Sequence, residues 1–174
     1  MLGRVKQFLI SISGTFKRLD EDYLVEHLDK SQLTLFLKLS KIDAQHSIRV
    51  AKAMEKDAPE DLKHLYAGIG LFHDIGKCRR PLSIAEKVAI VLAHAMLKEK
   101  LKRFLKFKAV ETYMEHGRIG AEILEGRGIF YDVPWVREVV RYHHDMYYSY
   151  LGESDTESLF NGAMNSLRLA DNEN

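Results

Sequence analysis

The chain has little cysteine and almost no net charge, and each shortage excludes a class of protein. A single cysteine, Cys78, among 174 residues rules out a disulfide framework and a zinc site built from several thiolates. It also favours a reducing cytoplasm as the location of the protein. The 26 basic and 25 acidic residues leave a net charge of +1, which argues against electrostatic binding of duplex nucleic acid.

Long apolar runs and prolines are also scarce. The most apolar stretch near the N-terminus, Phe8 to Ile12, is far shorter than the roughly 20 residues that span a bilayer. We therefore expect a soluble cytoplasmic protein without a transmembrane segment. The three prolines all lie between periodic segments, and this placement predicts long helices with few breaks.

What remains is a chain that is 46% hydrophobic, with apolar residues at helical spacing and no convincing alternation with a period of two. This pattern predicts an all-α protein, a single helical bundle of about six to eight helices. We expect an N-terminal helical extension over residues 1–30 and the main domain over residues 31–174. The predicted helices are 4–13, 20–28, 31–56, 59–77, 83–107, 109–126, 134–145 and 155–170.

Two helix starts have the sequence of a capping box, in which a Ser and a Glu three residues later bond to each other's backbone amides. They are Ser83 with Glu86, and Ser154 with Glu157. We therefore expect Ser83 and Ser154 to be N-cap residues.

Four of the eight histidines lie on the apolar faces of four different predicted helices. They are His46, His73, His116 and His143, and Asp74 follows His73 directly. Any one of them alone is more often an ordinary core histidine with a hydrogen-bond partner. For all four histidines together with Asp74, one shared metal site is the simpler explanation, because a single bound metal would give every one of these buried side chains a partner. Ligands that are imidazole and carboxylate, without thiolate, suit Fe, Mn, Zn or Ni.

Small residues surround one of these histidines. Gly117 and Gly120 flank His116 on the same predicted helix, and they allow a close approach to the helix there, without indicating what approaches.

The segment Phe72-His73-Asp74-Ile75-Gly76-Lys77 resembles the core signature of the HD-domain metal-dependent phosphohydrolases. Further matches follow the chain order of the branch of this superfamily known as HD-GYP. They are His46, His116-Gly117 with Gly120, His143-His144 with Asp145, and Ala170-Asp171. The resemblance therefore covers the chain from His46 to Asp171.

The resemblance implies a site for two divalent transition metal ions, with Fe or Mn favoured and Zn or Ni as alternatives. One ion would be held by His46, His73, Asp74 and Asp171, and Asp74 would bridge to a second ion held by His116 and His143. Asp74 and Lys77 would be the catalytic residues, and Lys77 would contact substrate phosphate. A helix C-terminal cation favoured by the helix dipole is the competing interpretation of Lys77.

The sequence departs from the HD-GYP pattern at two places. Met146 to Leu151 stand where the GYP motif would follow Asp145, so specificity for cyclic di-GMP is not implied. Ile42 stands where members with a third metal have a glutamate, so we expect two metals.

The roles of two further residues need separate comment. His144 is interpreted either as a neighbour of the ligands or as a contact to the substrate. Asp171 lies close to the C-terminus, so packing or a metal must hold it in place.

The implied reaction is hydrolysis of a small phosphoester, a nucleotide above all, by a hydroxide held between the metals. Two alternatives stay open: a di-iron oxygenase on the same scaffold, and a non-catalytic ligand-binding regulatory module. A homodimer is also left open.

Two weaker patterns have competing interpretations. Residues 98–108 contain six basic residues among apolar ones, which fits a helix packed by its apolar stripe or, less often, a surface for a membrane or partner. Tyr142, Tyr147, Tyr148 and Tyr150 fit a core cluster more often than a platform for a nucleotide base. His27, His64 and His94 match no position of the family, and we expect them to be surface or ordinary core residues.

Overall fold

A computed structural model of the chain describes residues 18–145, 148–150 and 152–174. Within these residues every regular element is helical, as the all-α prediction requires. The α-helices are α1 (Glu21–His27), α2 (Lys30–Phe36), α3 (Lys41–Asp57), α4 (Lys63–Phe72), α5 (Ile84–Leu97), α6 (Lys108–Gly126), α7 (Pro134–Tyr142) and α8 (Ser154–Glu173). Shorter 3-10 segments are Glu60–Leu62, Ile75–Arg79 and Lys98–Phe104.

The apolar side chains of these helices form two buried clusters that share α3, α4 and α7. One cluster includes Phe36 of α2 and Phe72 of α4, whose rings meet edge to face. The other includes Trp135 of α7 and Phe160 of α8. Because α3, α4 and α7 contribute to both clusters, they form the centre of the bundle, and the residues at the end of α4 are held from both sides.

The predicted helix 31–56 is wrong in one respect, because the chain leaves the helical conformation between α2 and α3. Ser40 is extended, and its hydroxyl accepts a hydrogen bond from the backbone amide of Asp43, so it caps a new helix. Leu39 is buried at this turn. The break follows from a Ser-x-x-Asp cap that the apolar periodicity conceals.

Two further predicted helices are also interrupted. The helix predicted over 83–107 ends at Leu97, because Lys98 has a positive φ of 49° that no α-helix tolerates. The chain then turns into a 3-10 segment that buries Leu101. The helix predicted over 59–77 ends at Phe72 and continues as the 3-10 segment Ile75–Arg79.

The two predicted capping boxes have different outcomes. At the start of α5 the prediction is confirmed, since Ser83 and Glu86 exchange both hydrogen bonds. At the start of α8 it is wrong, because Glu153 is the N-cap residue and Ser154 already lies in the helix. A helix start can shift by one residue where several polar residues precede it.

The N-terminal part of the described chain packs on the same core as the later helices. Tyr23 and Leu24 of α1 belong to the buried cluster that contains Phe36. The division into an extension over 1–30 and a domain over 31–174 stays a prediction, and the helix predicted over 4–13 lies outside the described residues. No helix in the described part is both long and apolar enough to cross a bilayer.

Glycines allow the backbone around α6 to approach very closely. A Cβ atom on Gly76 would lie against the carbonyl oxygen of His116 and within 2.7 Å of the amide nitrogen of Gly120. On the other side of α6, a Cβ on Gly117 would lie 2.7 Å from the carbonyl oxygen of Arg141 in α7. The close approach expected beside His116 is therefore confirmed, and it brings three parts of the chain together at that histidine.

Substitution of Gly76 by alanine tests this packing. We expect Gly76→Ala to lower the free energy of unfolding by more than about 3 kcal/mol, because the obstructing atoms are backbone and cannot rotate away. Gly126→Ala is the control, since nothing lies within 4 Å of its added Cβ. It should change stability by no more than about 1 kcal/mol, in the stabilising direction. Urea unfolding followed by circular dichroism measures both, and equal stabilities of the two variants would contradict the packing.

Candidate metal centre

The four histidines on apolar faces and two aspartates come together at the centre of the bundle. Their positions are His46 in α3, His73 and Asp74 just after α4, His116 in α6, His143 just after α7, and Asp171 in the last turns of α8. Two groups of potential metal ligands result: His46, His73 and Asp74 form one, and His116, His143 and His144 form the other. Within each group the ligand atoms lie within 4.8 Å of one another.

Three of these histidines have the same local hydrogen bond. Nδ1 of His73 donates to the carbonyl oxygen of Gly70 at 2.8 Å, and the other two donate to the residue three positions earlier in the same way. These bonds join His116 to Tyr113 at 2.9 Å and His143 to Val140 at 2.7 Å. Because a carbonyl only accepts, Nδ1 carries the proton, and in the neutral ring Nε2 has a free electron pair.

Two of those three electron pairs face the interior without a hydrogen-bond donor. Nε2 of His73 and Nε2 of His143 are buried and have no hydrogen-bond partner. The nearest carboxylate oxygen to His73 Nε2 is Oδ2 of Asp74 at 3.5 Å, which is itself an electron-pair donor. Burial of such atoms without a partner is unfavourable, and a cation bound by both removes the penalty.

Asp74 lies between the two groups, and its side chain is 2% exposed. Its Oδ2 faces His73 Nε2 at 3.5 Å and His46 Nε2 at 3.9 Å. Its Oδ1 faces His116 Nε2 at 3.2 Å. One carboxylate therefore directs one oxygen towards each group of ligands.

Asp171 is held in place despite its position near the C-terminus. Helix α8 continues to Glu173, and Ala170 is buried beside Asp171. His46 Nε2 donates a hydrogen bond of 2.9 Å to Asp171 Oδ1, and His73 Nε2 lies 3.8 Å from the same oxygen. The packing that the sequence demands for this residue is present.

His144 is closer to the ligands than the sequence indicated. Its Nε2 lies 3.0 Å from Nε2 of His116, although the residue as a whole is exposed. The crowding of protein around its ring, with His116 as neighbour, lowers the pKa of His144 to about 3. The neutral ring is therefore available as a ligand at physiological pH.

Lys77 balances the charge of Asp74. Its ammonium group contacts Oδ2 of Asp74 directly. Burial opposes ionisation of both groups, but their attraction lowers the pKa of Asp74 well below its usual value and raises the pKa of Lys77 above its own. Both groups are therefore charged at neutral pH, and the Lys77 side chain as a whole is 28% exposed.

Sequence analysis missed two sets of contacts that position the site. Arg168 of α8 donates hydrogen bonds to the backbone carbonyls of His143 and Asp145, which fixes the turn that carries His143 and His144. Asp43 is buried and accepts two bonds of 2.8 Å from Lys87 of α5. In both sets the bonded residues are at least 23 positions apart in the sequence, and the partners of Arg168 are backbone carbonyls. No local sequence motif therefore indicates these contacts.

The other histidines lie outside this centre. His27 is buried between the carbonyl of Tyr23 and the carboxylate of Glu55, and His94 bonds to the hydroxyl of Tyr113. His64 is exposed. The prediction that these three are surface or ordinary core residues is confirmed.

The tyrosines that follow the histidine pair pack on the core. Tyr142 and Tyr148 stack with ring centroids 3.6 Å apart, and Tyr150 stacks on Phe160 at 4.8 Å. These contacts favour the core interpretation over a platform for a base, and Tyr147 lies outside the described residues.

The donor set fits divalent metal ions. Imidazole nitrogens whose other nitrogen is fixed by a backbone carbonyl, together with buried carboxylates, are the usual ligands of such ions in proteins. The fold and the site together therefore define the class of protein: a helical bundle with a candidate metal site at its centre.

The family within that class follows from comparison with family models. The model described as "HD domain" matches residues 43–170, or 128 of the 174 residues. The chain therefore belongs to the HD domain family, which is part of a superfamily of metal-dependent hydrolases. Neither the curated proteins nor the solved structures yield a match.

The buried histidines give the metal-free protein a defined pH dependence. Burial lowers the pKa of His73 and of His143 below the ordinary value of 6.5. In the interval just below pH 6.5 the unfolded chain therefore binds more protons than the folded chain, so stability decreases as the pH falls.

We expect the free energy of unfolding in the presence of a chelator to decrease by up to about 1.4 kcal/mol per pH unit for each of the two histidines in this interval. Urea titrations at several pH values measure the slope. His143→Gln should reduce the slope, since one titrating group is removed. A stability that does not change over this interval would contradict the burial of neutral imidazoles.

Proposed function

We propose that the protein is a phosphohydrolase that uses two divalent metal ions to hydrolyse a small phosphoester, a nucleotide above all. His46, His73, Asp74 and Asp171 would hold one ion. Asp74, His116 and His143 would hold the other, with His144 close enough to join them. Iron or manganese fits these nitrogen and oxygen donors, with zinc and nickel as alternatives. A reducing cytoplasm remains part of the proposal.

The position of Asp74 carries this proposal. It is the one residue of the described site whose two oxygens face both ligand groups, at 3.2 Å from His116 on one side and 3.5 Å from His73 on the other. A carboxylate that directs one oxygen to each group is suited to bridging two cations. A single structural ion would need only one of the two groups.

Bound divalent ions supply two things to phosphoester hydrolysis: water of lowered pKa, and positive charge for the phosphoryl oxygens. The residues of this chain hold and orient them. The backbone carbonyls at Gly70, Tyr113 and Val140 fix three imidazole rings so that Nε2 faces inward. Arg168 holds the turn after α7, so the ligands reach the site without rearrangement of the backbone.

Lys77 is suited to bind the phosphate of the substrate. Its ammonium is charged and contacts Asp74, and its side chain is partly exposed. Cations at Asp74 would weaken its hold on Lys77, and a phosphate oxygen can replace the carboxylate as partner of the ammonium. This cation beside the ligands favours phosphoester hydrolysis over the di-iron oxygenase, and the complete ligand groups favour an enzyme over a regulatory module.

Substitution of single ligands tests the division into two groups. We expect the wild-type protein to bind two Mn²⁺ ions, His143→Gln to retain one, and Asp74→Asn to lose both, because Asp74 serves both groups. His64→Gln is the matched control and should retain two, because His64 lies on the surface. Elemental analysis after gel filtration gives the ratio, and full metal content in Asp74→Asn would contradict the bridge.

The proposed contact between Lys77 and the substrate phosphate is tested by the effect of a substitution on turnover, measured at equal metal content. We expect Lys77→Gln to bind metal normally and to lower kcat/KM for an activated phosphoester by about 100-fold, because a charged contact to phosphate is lost. Lys52→Gln removes an exposed lysine from α3 and should leave kcat/KM unchanged. A Lys77→Gln variant with full activity would show that Lys77 has only a structural role.

A further inference from the structure

Helix α5 is apolar on almost all sides, yet little of it is buried. Eleven of the 14 residues from Ile84 to Leu97 are aliphatic or Met, but Ile90 alone among them is buried. A soluble helix usually shows its polar face to water, whereas one that is apolar all round usually lies inside a protein or against a lipid phase. Helix α5 therefore presents an apolar surface that the described chain does not cover.

The polar residues of α5 define which side packs on the protein. Lys87 bonds to Asp43 of α3, and His94 bonds to Tyr113 of α6. The opposite side, which we call the outer face of α5, consists of residues spaced at helical intervals without a polar side chain among them. These are Ile84, Ala85, Val88, Ala89, Leu92, Ala95 and Met96. Leu92 is 59% exposed and Met96 is 84% exposed.

The next segment of the chain is strongly basic. Residues 98–108 contain six basic residues and one acidic residue, whereas the remaining 163 residues contain 20 basic and 24 acidic ones. All six basic side chains are exposed, and among them only Lys102 has an ion-pair partner in the described structure, Glu99. A nearly neutral protein therefore concentrates its positive charge at the end of the outer face.

Two aromatic residues extend the apolar surface into this basic segment. Phe104 and Phe107 are exposed, with ring centroids 6.5 Å apart, and the ammonium of Lys106 lies over the Phe107 ring. The segment is thus not a helix packed by its apolar stripe, since Leu101 is its one buried apolar residue. Exposed phenylalanines among lysines are typical of segments that lie in the interface of an anionic membrane.

Charge decides between the candidate occupants of this surface. A second copy in an isologous contact would bring two basic segments of the same sign towards one interface. One helix face also offers on the order of a few hundred Å², below the roughly 800 Å² per partner of a stable interface. Nucleic acid would satisfy the lysines but leave the outer face in water. An anionic bilayer satisfies both.

We propose that the outer face of α5 and the basic segment 98–108 form a docking surface for an anionic lipid bilayer. The apolar residues would enter the interfacial layer, and the lysines would lie among the headgroups. The surface is separate from the metal ligands, so the interaction does not depend on the proposed reaction.

Co-sedimentation of the full chain with phospholipid vesicles tests this proposal. We expect binding to vesicles with roughly 30% anionic lipid and not to neutral vesicles, and we expect binding to weaken as salt screens the lysines. Met96→Asp and Lys100→Glu should each reduce the partition coefficient by about tenfold. The matched controls are Val25→Asp on α1 and Lys56→Glu on α3, both exposed, and they should bind as the wild type does.

Sedimentation equilibrium without lipid tests the alternative that a second copy of the chain binds this surface. A dimer that Met96→Asp converts to monomer, together with no vesicle binding by the wild type, would assign the surface to a second copy and overturn the proposal. Equal binding of Met96→Asp and wild type to anionic vesicles would overturn it as well. Metal content and phosphoester hydrolysis of Met96→Asp should equal those of the wild type, so this test is independent of the proposed activity.

Discussion

A buried, ionised carboxylate is the constraint on which the rest of the structure depends. Asp74 is 2% exposed, and a charge at that depth is tolerated only with compensating positive charge. Lys77 supplies one positive charge, and four imidazoles surround the site as further ligands for cations. The burial that opposes ionisation also lowers the pKa of His73 and His143, so their rings stay neutral and able to bind metal.

Backbone groups hold these side chains together, in addition to the side-chain contacts of Arg168. Nδ1 of His73 and of His143 bonds to the carbonyl three residues earlier, so the direction of each of these two rings is set at the end of a helix. Gly76 and Gly117 let the backbone on both sides of His116 approach to near contact. Substitutions at these glycines therefore act on the site through its geometry, although neither glycine has a functional group.

Apolar periodicity was sufficient to predict most of the helices and the inward direction of four histidines. It failed at Ser40 and Lys98, where the chain breaks a continuous apolar pattern to bury Leu39 and Leu101. The periodicity cannot register a cap or a positive φ, since both depend on single residues. The contacts of Arg168 with the turn after α7 were missed because the partner atoms are carbonyls, which leave no trace in the sequence.

The exposed outer face of α5 shows a second limit of prediction from sequence. Eleven of the 14 residues of α5 are apolar, which is typical of a buried helix, but the described chain leaves the outer face of α5 exposed to solvent. An apolar sequence indicates that a surface is covered, but it does not identify the protein segment, partner or lipid that covers it. The same reasoning applies to the candidate metal centre, because the sequence contains the potential ligands and does not identify the cation that they could bind.

The central claim is that Asp74 joins two metal ions, and electron paramagnetic resonance of a Mn²⁺ titration tests it most directly. Two Mn²⁺ ions that share a carboxylate are magnetically coupled, whereas separate ions give the spectrum of isolated Mn²⁺. The account predicts that the spectrum changes to that of a coupled pair as the second equivalent binds. A spectrum of isolated Mn²⁺ at full occupancy would contradict it.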